Sequence, residues 1–297
     1  MKAFAPTHQA AWPPKAWPHL FISHGAPDMA LNQGPHALAW EAMGDGILHT
    51  PAPPALLLVS AHRQSRHWDV HTGQRAAVVH DYGGFDPALR QVRYDIAIDP
   101  AWTRAVADAL SKAGLAHDVV PVDRPEVDHG LWVPLSRMWP GQLPAPAVLL
   151  SIPVDVTPAE LWQAGRALAG LAGQGLRIVG SGSLTHPLPW VFRGHPTLGS
   201  AWTQQDDTPP DQEWPESRAF RQWVMARMQE GDRDALLQAQ SLAPAMSAMH
   251  PTPEHWWPLL LTAAMASASD AQWPAPTAWH EGVCLGGLSM DALVWEP

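Results

Sequence analysis

Short apolar runs that end in histidine constrain this chain more than any other feature. Leu20-Phe21-Ile22-Ser23 stops at His24-Gly25-Ala26-Pro27, and Leu56-Leu57-Leu58-Val59-Ser60 runs into Ala61-His62. Ala77-Val78-Val79 ends at His80, and Ile178-Val179-Gly180-Ser181 leads to His186. Runs this short, bounded by Gly and Pro, read as buried strands. Open α/β sheets bind ligands beyond the carboxyl ends of their strands, so the pattern predicts an α/β fold with several histidines gathered at one edge of one sheet.

The strand-and-histidine pattern reaches from Leu20 to Ser183, and a last histidine pair follows at His250 and His255. A single domain over residues 1–297 is therefore expected, preceded within it by an irregular, proline-punctuated arm over residues 1–18. With 18 Lys plus Arg against 28 Asp plus Glu, the formal charge is -10, which speaks against a nucleic-acid partner. The lone Cys284 excludes an intramolecular disulfide framework and Cys-based zinc sites, so any metal has to be held by His and carboxylates. The first residues lack an apolar signal core, and no run approaches the roughly 20 apolar residues of a membrane span. A soluble cytoplasmic protein, a monomer or small homo-oligomer with no membrane partner, is the expectation.

Local signals place the remaining elements. Pro35 to Met43 reads as a short helix, and Asp99-Pro100 as an N-cap followed by Pro at the first helical position, opening a helix that Gly114 ends. Val119 to Val122 and Ala147 to Ile152 read as strands. Thr157-Pro158-Ala159-Glu160 has the form of a capping box and starts a helix to about Ala172. Pro189 to Pro215 lacks periodicity and is expected to be a long loop across a pocket. Helices are expected over Glu216 to Glu230 and Asp234 to Gln240, and another over Trp256 to Ala268 with His255 in its first turn. Val283 to Trp295 reads as a final strand or strand pair at the sheet edge.

Among the histidines, His24, His62 and either His250 or His255 form the strongest constellation. Imidazole suits zinc and iron, and three ligands leave positions for water or substrate. Asp28, Asp81 and Glu254 are candidates to orient such ligands or to supply a carboxylate ligand. Gly180-Ser181-Gly182-Ser183 is a poor match to a phosphate-binding loop and to the Gly-x-Ser-x-Gly nucleophile elbow, so His186 is better read as a group poised over a metal-bound substrate. His129 is a candidate second proton-transfer group, with pairing to Asp128 or a carbonyl as the structural alternative. Tyr82, Phe85 and Trp132 adjoin these residues and are candidate substrate contacts. On the residues alone, a metal-dependent enzyme such as a zinc hydrolase using metal-bound hydroxide and a non-catalytic metal-binding protein both stay open.

Assembled in order, the pieces resemble the class III extradiol ring-cleavage dioxygenases, in their DOPA dioxygenase-like branch. They are Phe21-Ile22-Ser23-His24-Gly25-Ala26-Pro27, Leu58-Val59-Ser60-Ala61-His62, Tyr82-Gly83-Gly84-Phe85 through Arg93-Tyr94, Asp128-His129-Gly130-Leu131-Trp132-Val133-Pro134-Leu135, Gly180 through His186, and His250 through His255. Each is weak alone, and the six together are specific. The resemblance implies a central mixed β-sheet flanked by helices, with a metal in a cleft at the sheet edge. It implies His24, His62 and His255 as ligands, with His250 as a rival, and His186 and His129 as catalytic histidines. Fe(II) is the cofactor expected for activity, with Zn(II) a possible bound metal, and a small aromatic diol and dioxygen are the expected partners. Gly84 within Asp81-Tyr82-Gly83-Gly84-Phe85, and Pro187 after His186, depart from the usual pattern beside the expected substrate pocket.

Overall fold

The apolar runs assemble into one eight-stranded mixed sheet. The computed structural model describes residues 14–121, 125–199, 207–267 and 273–297. Its sheet strands, in chain order, are β1 (His19–Ser23), β2 (Leu56–Ser65), β3 (Trp68–His71), β4 (His117–Val120), β5 (Ala147–Pro153), β6 (Arg177–Gly182), β7 (Thr277–His280) and β8 (Ala292–Trp295). They lie side by side as β7-β8-β1-β6-β2-β5-β3-β4. The central four, β1, β6, β2 and β5, are mutually parallel, while β8 and β3 flank them antiparallel.

Helices cover both faces, which is why the central strands are apolar throughout instead of alternating. Phe21, Leu57, Val59, Leu150 and Ile178 pack on one side with α2 (Pro100–Lys112), α4 (Pro158–Ala172), α6 (Pro215–Glu230) and α7 (Trp257–Ala266). Leu20, Ile22, Leu58, Leu149 and Val179 pack on the other with α1 (Pro35–Ile47) and α3 (His129–Met138). The short α5 (Leu188–Arg193) stands beyond the sheet's carboxyl edge. The expected caps are present. Asp99 accepts from the Ala101 and Trp102 amides, and Thr157 and Glu160 close a reciprocal capping box.

Several expectations need correction. Arg75–Val78 pairs with Ile96–Ala97 and Glu126–Val127 in a separate small sheet, so His80 does not share the main sheet with the other three strand-end histidines. Strand β2 continues through Ser65 instead of stopping at Ser60, with a register shift against β5 between Val59 and Gln64. His62 therefore sits in the strand, within the irregular stretch, and lines the cavity. The expected loop from Pro189 contains most of α5, and α7 begins after His255 instead of including it. The chain's last strand, β8, lies inside the sheet and β7 forms the edge, because β8 pairs with both β1 and β7. Residues 1–13 of the expected arm, Val122 of the expected strand, 200–206 of the expected loop and Ala268 of the expected helix lie outside the described residues. None of the described helices is long and apolar enough to cross a membrane.

Candidate metal centre

Strands β1, β6 and β2 are neighbours and parallel, so their carboxyl ends open side by side. His24 follows β1, and its amide donates to the Gly182 carbonyl at 3.1 Å. Gly25 next to it adopts φ +64°, and a Cβ there would also come within 2.8 Å of Met290, so only glycine makes this turn. His255 comes from across the sheet, on the approach to α7. Its carbonyl accepts from the Ser183 amide at 2.9 Å. A Cβ at Gly182 would overlap that carbonyl, and one at Gly180 would overlap the Thr262 hydroxyl on α7. The glycines of Gly180-Ser181-Gly182-Ser183 thus serve close backbone approach, and this seats His255 beside His24.

The three rings form a nearly equilateral group, with centroid separations of 4.9 Å (His24–His62), 5.2 Å (His24–His255) and 4.9 Å (His62–His255). One nitrogen from each lies within 4.8 Å of the others. His24 Nε2 and His62 Nε2 are 3.0 Å apart.

The hydrogen bonds behind the rings fix which nitrogen faces inward. Pro134 lies inside α3 and has no N–H, so the Gly130 carbonyl one turn earlier lacks its helical donor. Ser181 Oγ donates to that carbonyl instead. With its proton so committed, Ser181 Oγ accepts from His24 Nδ1 at 2.9 Å, which leaves His24 Nε2 as a bare lone pair. His255 Nδ1 donates to Glu254 Oε1 at 3.0 Å, a carboxylate also bound by the Thr252 hydroxyl. His255 Nε2 is left buried without a partner in the protein. Burial first, and then the neighbouring histidines, hold the pKa values of His24 and His255 well below that of an ordinary imidazole.

Converging imidazoles with an orphaned buried nitrogen make a donor set that could hold a non-heme metal ion. The 3.0 Å spacing matches two nitrogens placed ~2.1 Å from one ion at about a right angle. Carboxylates or carbonyls holding the outer ring nitrogens are the usual supporting arrangement.

The other site candidates distribute unevenly. His186 stacks on His255 with centroids 3.5 Å apart and planes 13° from parallel, and its pKa too is pushed well down, by burial and then by His255. Together with Glu254 and His255 it forms a second group of possible ligands. His129 opens α3, with its ring 4.2 Å from that of His62. Its Nδ1 and its amide both meet Asp81 Oδ1, at 3.0 and 3.2 Å, instead of Asp128. Burial pushes the Asp81 carboxyl up, but these bonds outweigh it and hold the pKa below the usual carboxylate value. Asp128 turns inward to accept from Ser60 Oγ at 2.6 Å.

His250 points away from the cluster. Its Nε2 binds the Leu184 carbonyl at 2.8 Å and its ring packs among Phe220 and Trp256. Tyr82 and Phe85 line the same cavity as the histidines. Trp132 does not. It is fully buried in the core, its indole donating to the Val79 carbonyl, and it backs the Tyr82 ring from behind. Sequence reasoning treated Ser181 as a weak nucleophile candidate and gave the Pro134 and Gly130 positions no role. The legible signal was a proline four residues after Gly130 in a helical stretch.

The cavity holds about 790 Å³, within the ordinary range for small-molecule sites. Residues 18–284 match the family model of the catalytic LigB subunit of aromatic ring-opening dioxygenase. The chain belongs to this family. It is 30% identical over 275 residues to the 4,5-DOPA dioxygenase extradiol of Escherichia coli K12, covering 92% of each chain. It is 28% identical over 267 residues to the enzyme of that name from Beta vulgaris, covering 89% of this chain and 92% of the other. The crystal structure of an uncharacterized Escherichia coli K12 protein superposes with a TM-score of 0.69 at 25% identity, over 94% of this chain and 99% of that one. As a LigB-type enzyme, the protein is an extradiol ring-cleavage dioxygenase for a catechol-like substrate that works with a non-heme metal. The hydrolase and pure binding readings are thereby set aside.

Proposed function

We propose that His24, His62 and His255 hold Fe(II), and that His186 and His129 manage the protons of a DOPA-like or other small dihydroxy-aromatic substrate. Fe(II) bound there supplies the electronic coupling between diol and dioxygen that side chains lack. The observation that carries the reading is the pinned Nδ1 of His24 and of His255, which turns a bare Nε2 of each towards the shared centre.

The protein's own groups then divide the work. His186 is neutral at pH 7, since its pKa is lowered, and accepts a proton from a substrate hydroxyl. His129 offers Nε2, because Asp81 holds the proton on Nδ1; that carboxylate also stabilises the imidazolium once a proton arrives. Either histidine can return the proton as the ring opens beside the diol to a muconic semialdehyde. Tyr82 stands edge-on to His129 with centroids 5.8 Å apart, and its hydroxyl is buried without a protein partner, which suits a hydrogen bond to the substrate. We further propose that the protein acts in the cytoplasm, the expectation set by its sequence.

The test is anaerobic loading with one Fe(II) per chain, followed by oxygen uptake with L-DOPA and a panel of simple catechols. One dioxygen consumed per diol, with a yellow ring-opened product, is the expected result. An iron-loaded protein that consumes no oxygen with any of the diols would overturn it.

A further inference from the structure

Away from the histidines, the cavity has a consistent chemistry. One wall is apolar: Met29, Leu188, Val191, Phe192, Leu285 and Leu288. Phe192, on α5, remains 63% exposed, so its ring offers apolar surface to a ligand in this cavity. Leu285 holds φ at +51°, a left-handed conformation that is costly for a branched residue and suits glycine. Gly286 and Gly287 follow it, yet the residue that reaches the cavity in the strained conformation is the leucine. Strain of this kind gathers at ligand sites.

The charged side chains of the lining other than histidine are Asp28 and Glu254, both acidic. Among the described residues, no Lys or Arg lines this cavity. Arg90 and Arg93 line a different one of about 540 Å³, together with Asp95 and Glu126. A ring substituent points away from the ion that holds the diol, so a carboxylate on it would leave water for an apolar wall and two like charges, with no lysine or arginine among the described lining residues to receive it.

We infer that this cavity selects catechols whose ring substituent is apolar and carries no carboxylate, with Leu285 and Phe192 gripping the substituent and Asp28 repelling acids. The inference rests on the catechol reading of the site and narrows it. It sets this chain apart from an enzyme tuned to an amino-acid diol, whose side chain bears a carboxylate.

The experiment compares 4-propylcatechol, 3-(3,4-dihydroxyphenyl)propanoate and the methyl ester of that acid, with unsubstituted catechol as reference. Binding is measured anaerobically by titration of the zinc-loaded protein, and oxygen uptake with the iron-loaded protein. The propyl compound should bind more tightly than catechol by about fourfold per buried methylene, and the ester at least about tenfold more tightly than the acid. Asp28→Asn should narrow the ester-to-acid ratio. Leu285→Gly should fold at least as well, since glycine accepts the positive φ, but lose the propyl advantage. An acid that binds as tightly as its ester, or better, overturns the inference, as does a Leu285→Gly protein that keeps the full propyl advantage. Oxygen uptake with the acid alone overturns the inference while sustaining the catechol reading; uptake with none of the four diols removes that reading itself.

Discussion

The molecule contains a second close histidine contact, and its difference from the first is instructive. His36 on α1 and His280 on β7 approach with Nδ1 and Nε2 2.8 Å apart, at 1% and 4% exposure. One nitrogen donates and the other accepts, and the outer His36 Nε2, buried without a hydrogen-bond partner, stands 3.8 Å from the Asp207 carboxylate. Gly282 lies so near that a Cβ would overlap the His36 ring, which leaves no room for an ion to enter from that side. In the centre, His24 and His62 also meet at 3.0 Å, but there Ser181 already holds the Nδ1 proton of His24, and Glu254 holds that of His255. His24 and His255 are as deeply buried as His36 and His280, while His62 is exposed. What separates a packing pair from a metal site is where the proton on the outer nitrogen is anchored.

The largest expected effect follows from that contrast. His255→Ala should reduce bound metal from one per chain to nearly none and abolish oxygen uptake, whereas His280→Gln should leave the metal complement intact; elemental analysis of the two proteins decides. Next, His186→Ala should keep its metal while turnover falls by about 10²–10⁴, the usual contribution of a proton-transfer group. Loss of metal instead would make His186 a ligand, within the group it forms with Glu254 and His255.

A third effect concerns acid. Burial lowers the pKa values of His250 and His280 to about 4. In the unfolded chain they titrate near the ordinary 6.5, so between these limits the unfolded state binds more protons. Stability is therefore full above pH 6.5 and declines as pH falls towards 4, by on the order of 3 kcal/mol for each group. Urea unfolding of the metal-free protein from pH 7.5 to 4.5 measures it, and His280→Gln should flatten the profile. The smallest effects test the support behind His24. Ser181→Ala should weaken metal affinity about 10- to 100-fold. Pro134→Ala should act in the same direction but less, because it restores an N–H to compete for the Gly130 carbonyl. Chelator competition reads both, and unchanged affinity in Ser181→Ala would break the link between outer anchoring and metal binding.

How far the sequence could be read is clearest at particular residues. Asp99-Pro100 and Thr157-Pro158-Ala159-Glu160 announce helices through bonds made within four residues, and both caps are found as expected. His24 was visible because strand ends face a common edge in a parallel sheet, and His62 because it follows the apolar run of β2, although that strand continues to Ser65. His255 and His250 were not separable, since their spacing says nothing about which ring turns towards β6. Trp132 read as a substrate contact because it neighbours His129 in sequence. His129 stands at the first position of α3 and reaches the cavity, whereas the Trp132 indole is buried in the core and donates to the Val79 carbonyl. His80 misled for the same reason, as an apolar run ending in histidine does not say which sheet it joins.

The sequence by itself determined the strands, the helix caps and the stock of histidines, because propensity, capping and burial patterns act over a few residues. Only the tertiary structure decided the centre. The route from Pro134 through Gly130 and Ser181 to His24 joins positions 134, 130, 181 and 24, and the seat of His255 depends on the missing Cβ atoms of Gly180 and Gly182. Contacts of that kind depend on the order of strands in the sheet, which brings β6 between β1 and β2, and no local pattern encodes that order.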